Sequence, residues 1–326
     1  VNSQRTEKHL SRSPAVSVII PVRNCADTIR ESLQSVFDQD FSDYEIIVVD
    51  DGSTDKTMDI LSSFADRIKI LRQQGRGAAS ARNLAINHSR GRYLAFLDAD
   101  DSWFPSKLFL QYDYLEKHPE IGLVYSDLST FNKAGECSSS YDSHHRKVYQ
   151  GRVFAELLLK NFIGTITVVA RRECFDKVGL FPEEFTHSSD WHQWLRIARY
   201  YPIGYINIPL AHYRWSESSL TSRMEVPYPS RLRVLKDMRR IFPDYFRKHP
   251  SLFRRAISGG AFRYGYALFK NKDKRAAAVQ FKYSLKNNPI QWKSYLFLLG
   301  LSIPPSVMRG LVMIKRKMKL RFMPAE

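Results

Sequence analysis

Short apolar runs alternate with helix-period stretches from residue 16 to about residue 208, and the early runs each stop at a polar cluster. Residues 16–20 (VSVII) read as a buried strand ended by Pro21, followed by a helical pattern with Ile29, Leu33, Val36 and Phe37 on one face. Residues 45–49 (EIIVV) read as a second strand, ended by Asp50-Asp51-Gly52. Residues 54–64 read as a helix, 68–71 as a third strand, 78–87 as a small-residue helix and 92–97 as a fourth strand. Strands separated by helices of this length predict an α/β fold: a mostly parallel sheet flanked by helices, its ligand site at the C-terminal strand ends. Those ends hold residues 21–24, 50–53 and 98–101, three polar clusters at equivalent places in successive units.

Farther along, residues 132–147 are a Ser- and His-rich loop, 151–160 read as a helix and 166–170 as a strand. Residues 190–200 read as a helix with Trp191, Trp194, Leu195 and Ala198 inward. Beyond Pro227 helices take over as a C-terminal helical appendage, and residues 261–288 loosely resemble one hairpin of a tetratricopeptide repeat, without a second copy. This predicts a disordered tail over 1–14, a catalytic domain over 15–226 and a basic helical region over 227–326.

With 44% hydrophobic residues in 326, the chain can bury a full core without staples. Cys25, Cys137 and Cys174 make neither metal spacing nor a disulfide framework, which fits a reducing cytoplasm. The first 15 residues are polar and do not read as a signal peptide. No run reaches the roughly 18–20 apolar residues of a spanning helix. The net charge of +17 is unevenly spread. Residues 1–230 hold 27 Lys and Arg against 29 Asp and Glu, whereas residues 231–326 hold 23 against 4. Two segments with different partners are implied.

Asp98-Ala99-Asp100 directly follows the strand at 93–97, and residues i and i+2 of extended backbone project to one side. Paired carboxylates there suit a hard cation such as Mn²⁺ or Mg²⁺, or a sugar hydroxyl; a solvated acidic turn has the same pattern. Asp101, followed by Ser-Trp-Phe-Pro105, reads as a helix cap. Asp51 can accept from a base N–H or ribose hydroxyls, or cap the helix at Thr54. Gly75-Arg76-Gly77 and Ala81-Arg82-Asn83 place a guanidinium on the first turns of a helix, where it suits a diphosphate or is a surface Arg. Asp190 beside Trp191 is either a proton acceptor in a partly desolvated pocket or a helix cap. His187, His212, His144 and His145 share no ligand spacing and read as polar surface or satisfied core residues.

Six stretches in order, at residues 16–24, 48–55, 77–83, 95–101, 161–165 and 189–191, resemble the family 2 glycosyltransferases, which have the GT-A fold. The resemblance covers roughly residues 15–220. It implies an inverting enzyme that transfers sugar from a nucleotide-sugar donor, UDP-linked, to a glycan or lipid-linked hydroxyl in cell-surface polysaccharide or glycoconjugate synthesis. It implies that Pro21, Val22, Arg23, Asn24 and Asp51 hold base and ribose, with Asp51 on the uracil edge. Arg82 would approach the diphosphate, Asp100 would bind a Mn²⁺ or Mg²⁺ ion, and Asp98 with Ala99 would serve the ribose or a metal-bound water. Asp190 would be the general base.

Three departures stand out. Arg23 occupies a position often aromatic in the family, and Ser189 replaces a usual Glu beside the base. Ala211-His-Tyr-Arg-Trp215 lacks the Gln of the processive motif Q-x-x-R-W, which favours single-sugar transfer. Two other readings compete. A nucleotidyltransferase needs a Gly-rich phosphate loop where residues 21–27 hold no glycine. A nucleic-acid or anionic-surface binder would use the basic region, which contains no recognised nucleic-acid module. Acceptor contacts are expected from residues 137–145 and 162–167. Residues 290–323 mix apolar and cationic side chains as an interfacial segment on an anionic membrane does, placing the protein at the cytoplasmic face.

Overall fold

A computed structural model describes residues 13–131, 137–138, 148–215 and 227–302. Residues 1–12 of the expected tail over 1–14, most of the loop over 132–147 with His144 and His145, and residues 303–323 of the interfacial segment lie outside the described residues. The chain divides into two compact units, Val1–Ser222 and Arg223–Glu326.

In the first unit, β1 (Val16–Val22), β2 (Tyr44–Asp50), β3 (Lys69–Arg72) and β4 (Tyr93–Phe96) form a parallel half-sheet in the order β3-β2-β1-β4. The runs in β1, β2 and β4 are mostly buried and apolar, as in strands covered on both faces, whereas β3 at the edge exposes Lys69 and Arg72. Helix α1 (Ile29–Phe37) buries Ile29, Leu33 and Val36, and α3 (Ala78–Asn87) brings Ala79, Ala81 and Ala85 close to β1 and β2. The sheet is mixed beyond β4. Strand β8 (Val169–Arg171) runs antiparallel to β4 and to β6 (Leu123–Phe131), and β9 (Ile203–Arg214) runs parallel to β6. Strand β5 (Ser102–Trp103) closes that edge against β9, and β7 (Cys137–Ser138) pairs with β6.

Three sequence expectations are corrected here. The helix over 54–64 shrinks to α2 (Thr57–Ser62), because Asn24 takes the Thr54 N–H and Asp55 takes those of Thr57 and Ala26. The helix over 151–160 begins only at Phe154, as α5 (Phe154–Leu159), because the backbone of Gly151 pairs with Ile203. The strand over 166–170 is instead a 3₁₀ turn, Thr165–Thr167, ahead of β8. Its carbonyls leave the ladder for side chains: Trp103 Nε1 donates to Ile166 O at 2.9 Å and Gln111 Nε2 to Thr167 O at 2.8 Å.

Gln111 lies on α4 (Lys107–Lys117), whose first residue is entirely buried. The Lys107 amine donates to Gln111 Oε1, sits 4.9 Å from the centre of the Trp103 ring, and is pushed well below the ordinary lysine pKa by burial. Helix α7 (Ser189–Tyr200) sends Trp194 into a cluster with Phe96 and Phe181.

The described residues of the second unit form five helices: α8 (Pro227–Ile241), α9 (Pro243–Lys248), α10 (Pro250–Lys270), α11 (Lys274–Asn287) and α12 (Trp292–Ser302). Helices α10 and α11 pack as a hairpin over Ala277 and Phe281, both fully buried. Gly265 lets the helices meet, since a Cβ there would lie 2.9 Å from the Phe281 ring.

A lysine that folding deprives of its proton weakens the fold below its ordinary pKa. The penalty is absent above that value, grows as pH falls and levels off once the folded amine is protonated. Lys107→Met is therefore expected to raise stability by about 1–2 kcal/mol at neutral pH. The gap should narrow between about pH 7 and about pH 10, as read from denaturant melts across that range. A Met variant no more stable than the parent at neutral pH would contradict the neutral-amine assignment.

Candidate functional site

The loops after β1, β2 and β4 meet at the carboxyl ends of the parallel strands. Pro21 and Val22 end β1 in register with Val49 and Asp50. Asn24 takes a left-handed conformation (φ 52°), which asparagine tolerates better than most residues. Its N–H donates to Ser53 Oγ at 2.9 Å and its Oδ1 accepts the Thr54 N–H at 2.8 Å, so the first two loops are stitched together. Asp50 is fully buried, accepts the Ser53 N–H at 3.1 Å and faces Arg72 Nε at 3.6 Å.

Asp51 caps no helix. Its Oδ1 accepts from Gln73 Nε2 and the Arg76 N–H, and its Oδ2 accepts the Gly77 N–H, all at 2.8 Å. An ionised carboxylate has about four acceptor positions, so one remains, on Oδ2. These bonds hold the turn containing Gly75 (φ 61°) and Gly77 (φ 87°) against a cleft of about 690 Å³. Arg23, Gly52, Ser53, Arg72, Gln73 and Gly75 line it.

Arg82, on α3, is buried rather than a surface arginine. Its outer nitrogen meets Asp98 Oδ1 at 2.5 Å, while its Nε has no hydrogen-bond partner. Arg76 turns outward to Glu183 at 3.0 Å.

The acidic loop after β4 is held by its backbone. Ala99 O accepts from Thr28 Oγ1 and Ser32 Oγ, and Asp101 O accepts from Ser32 Oγ. Asp100 stands at the surface yet is crowded by protein. That desolvation, with the neighbouring Asp98 charge, raises its pKa. Asp101 is corrected from helix cap to buried anchor: α4 begins at Lys107 after Ser106. Asp101 Oδ1 accepts the Arg214 N–H at 2.8 Å, its Oδ2 has no hydrogen-bond partner, and burial pushes its pKa well up. Arg214 also donates from Nε to Asp100 O at 2.8 Å and reaches Glu31 Oε2 at 2.5 Å. Sequence reasoning gave Arg214 no role in the site. The signal was there in the Arg-Trp that survives from the incomplete processive motif.

Among the described residues no three His, Cys, Asp or Glu side chains gather as a complete metal site. Asp98 and Asp100 nevertheless fit a hard divalent cation. They are oxygen donors in a loop with three carboxylates, where crowding raises the pKa of Asp100, and a cation relieves that repulsion.

Asp190 sits in the first turn of α7, after Ser188 in a left-handed conformation (φ 65°). The Asp190 carboxylate accepts from Thr165 Oγ1 at 3.2 Å on Oδ2. Thr165 belongs to the 3₁₀ turn that Trp103 and Gln111 hold, and Trp103 lies two residues beyond Asp101. Acidic loop and Asp190 are thus tied to adjacent residues of one turn. His212 is half-buried and satisfied, 2.6 Å from Ser129 Oγ with its ring tilted against Phe104 at 3.8 Å, and burial lowers its pKa.

With this geometry established, comparison with known proteins is informative. The model of glycosyl transferase family 2 matches residues 17–179. WfgD of Escherichia coli, named a UDP-Glc:alpha-D-GlcNAc-diphosphoundecaprenol beta-1,3-glucosyltransferase, is 35% identical over 212 residues, 64% of this chain and 79% of its own length. RC0461 of Rickettsia conorii, an uncharacterized glycosyltransferase, is 32% identical over 66% of this chain, which spans only 35% of that relative. Among solved structures, the mannosyltransferase PcManGT from Pyrobaculum calidifontis, in complex with GDP-Man and Mn²⁺, aligns with a TM-score of 0.56. The match covers 90% of this chain and 87% of that one at 20% identity, a likeness of fold.

Asp51→Asn keeps the shape but replaces one acceptor oxygen with an N–H₂ that cannot accept. Losing an acceptor for a loop N–H is expected to cost about 1–3 kcal/mol. Amide hydrogen exchange at Arg76 and Gly77 should accelerate, while the amides of β4 stay protected. Unchanged exchange at both loop amides would show that Asp51 is not what holds the turn.

Proposed function

This chain belongs to glycosyl transferase family 2 and has the GT-A fold, and we propose that it transfers a single sugar, with inversion, from a UDP-sugar to a hydroxyl. The acceptor we assign is a glycan or a lipid-linked saccharide, met at the cytoplasmic face of a membrane during cell-surface polysaccharide or glycoconjugate synthesis. One observation carries the reading: the donor-side groups Asp51, Arg82, Asp98 and Asp100 share one set of strand ends, and Asp190 is tied to the same framework through Thr165. The donor and acceptor printed in the name of WfgD support the substrate classes.

In this reading the base lies in the cleft beside Arg23, Pro21, Val22 and Asn24. The planar Arg23 guanidinium serves where relatives stack an aromatic ring. The remaining acceptor position on Asp51 Oδ2 takes the imide N–H of uracil. Asp98 and the backbone at Ala99 serve the ribose, and Arg82, fixed by its ion pair with Asp98, supplies positive charge beside the diphosphate. A Mn²⁺ or Mg²⁺ ion held by Asp100 and Asp98 would neutralise charge growing on the departing diphosphate.

Asp190 is the general base. The Thr165 hydroxyl occupies Oδ2, which leaves Oδ1 to receive the acceptor's proton. The acceptor oxygen forms its bond to the anomeric carbon as the bond to the diphosphate breaks, and that electron pair leaves with UDP. No second carboxylate is assigned as a nucleophile, so the single displacement inverts configuration. Ala211, where processive enzymes have Gln, supports transfer of one sugar per encounter.

Asp190→Asn should lower kcat by about 10²–10⁴-fold with donor KM nearly unchanged, measured as UDP release at saturating acceptor. Loss of donor affinity with kcat intact would make Asp190 a structural residue of α7. Anomeric NMR of the product is expected to show the opposite configuration to the donor, and retention would exclude this mechanism.

Asp100→Ala should remove the Mn²⁺ dependence of UDP binding in calorimetry while leaving the melting temperature near that of the parent. Equal Mn²⁺-dependent binding by both proteins would remove Asp100 from the metal site.

A further inference from the structure

Helix α12 has two apolar faces and only one of them is packed. Ser294, Phe297, Leu298 and Leu301 recur at i, i+3, i+4 and i+7. Phe297, Leu298 and Leu301 pack on the α10–α11 cluster around Leu268, Ala277 and Phe281, and Ser294 donates to Ser284 at 3.1 Å. Trp292, Tyr295, Leu296 and Leu299 repeat the same spacing on the opposite side and are exposed by 60, 48, 56 and 63%. Ile290, just before the helix, is 84% exposed. A helix that is apolar all round is normally buried on every side, and this one has a whole face turned outward.

We propose that this outer face of α12 is a membrane-docking surface, with an anionic bilayer as its occupant. The proposal deepens the reading of a lipid-linked acceptor and rests on it. Two features favour a bilayer. Trp292 and Tyr295 are amphipathic rings, the kind that lie at the level of lipid headgroups, while Leu296 and Leu299 reach further toward the acyl chains. Charge is complementary as well: residues 231–302 hold 17 Lys and Arg against 3 Asp, and α12 contains Lys293 and no acid. Anionic headgroups match such a surface, and the short helix lies in the interface rather than across it. No helix among the described residues is long and apolar enough to span a membrane.

The test uses the full chain and vesicles of phosphatidylcholine with or without one third phosphatidylglycerol. Wild type is compared with a triple variant, Trp292→Ser, Leu296→Ser and Leu299→Ser. These side chains are exposed, so the fold should survive, and circular dichroism checks that it does. The variant is expected to lose about 10- to 100-fold in partition to the anionic vesicles. Wild-type binding should weaken in high salt, and brominated lipid should quench Trp292 fluorescence in the wild type. Turnover of a water-soluble acceptor should be equal in the two proteins. If that turnover is absent in both, the transferase reading has failed while the vesicle result still stands. Equal partition of variant and wild type overturns the proposal. So does a variant that keeps its partition but changes from dimer to monomer in light scattering, because a second copy would then be the occupant.

Discussion

Backbone groups in the loops that leave the parallel strands have no regular ladder, and each still needs a partner away from water. Side chains from distant loops supply those partners. Asn24 completes the loop after β2, Asp51 completes residues 76 and 77, Ser32 and Thr28 hold the carbonyls of the acidic loop, and Asp101 takes the N–H of Arg214. The polar residues that gather at these strand ends therefore act first as scaffolding. The groups assigned to substrate are a subset with spare capacity: one position on Asp51, and the oxygens of Asp100 and Asp190 that no neighbour claims.

The parallel half of the fold was legible because β1, β2 and β4 are buried on both faces and read as unbroken apolar runs. The mixed half beyond β4 was not. Strand β6 carries Ser126, Asp127 and Ser129 within its run, and its pairing with β9 shifts register twice near Asp127, which breaks any simple alternation. The turn at 165–167 has the β-branched composition of a strand, and only side chains from residues 103 and 111 divert its carbonyls. Local spacing could weigh only cap against ligand for Asp51, and read Asp101 as a cap. Their actual partners lie 22–26 and 113 residues away, beyond the reach of any local pattern.

The uneven charge of the chain takes on meaning in the same way. The unit with the acidic site is close to electrically balanced, so attraction of the proposed dianionic donor would depend on local placement of Arg82, Arg23 and Arg72 rather than on net field. The helical unit is strongly basic, and none of the Lys and Arg among its described residues is buried. In the first unit Lys107, like Arg82, is buried; its amine completes the Gln111 network, where burial disfavours the charged form.

The bond between Asp101 and the backbone of Arg214 has a consequence for how the molecule comes into being. It joins residues 113 positions apart, and β9, which ends at Arg214, pairs along its length with β6. On a growing chain, the acidic loop is translated early and then waits for the last strand of the sheet to emerge before its buried carboxylate finds a donor. Contacts of such separation are also the slow ones to form. The proposed site is thus complete only once β9 is in place, and a polypeptide lacking β9 would leave the Asp101 carboxyl without its Arg214 donor.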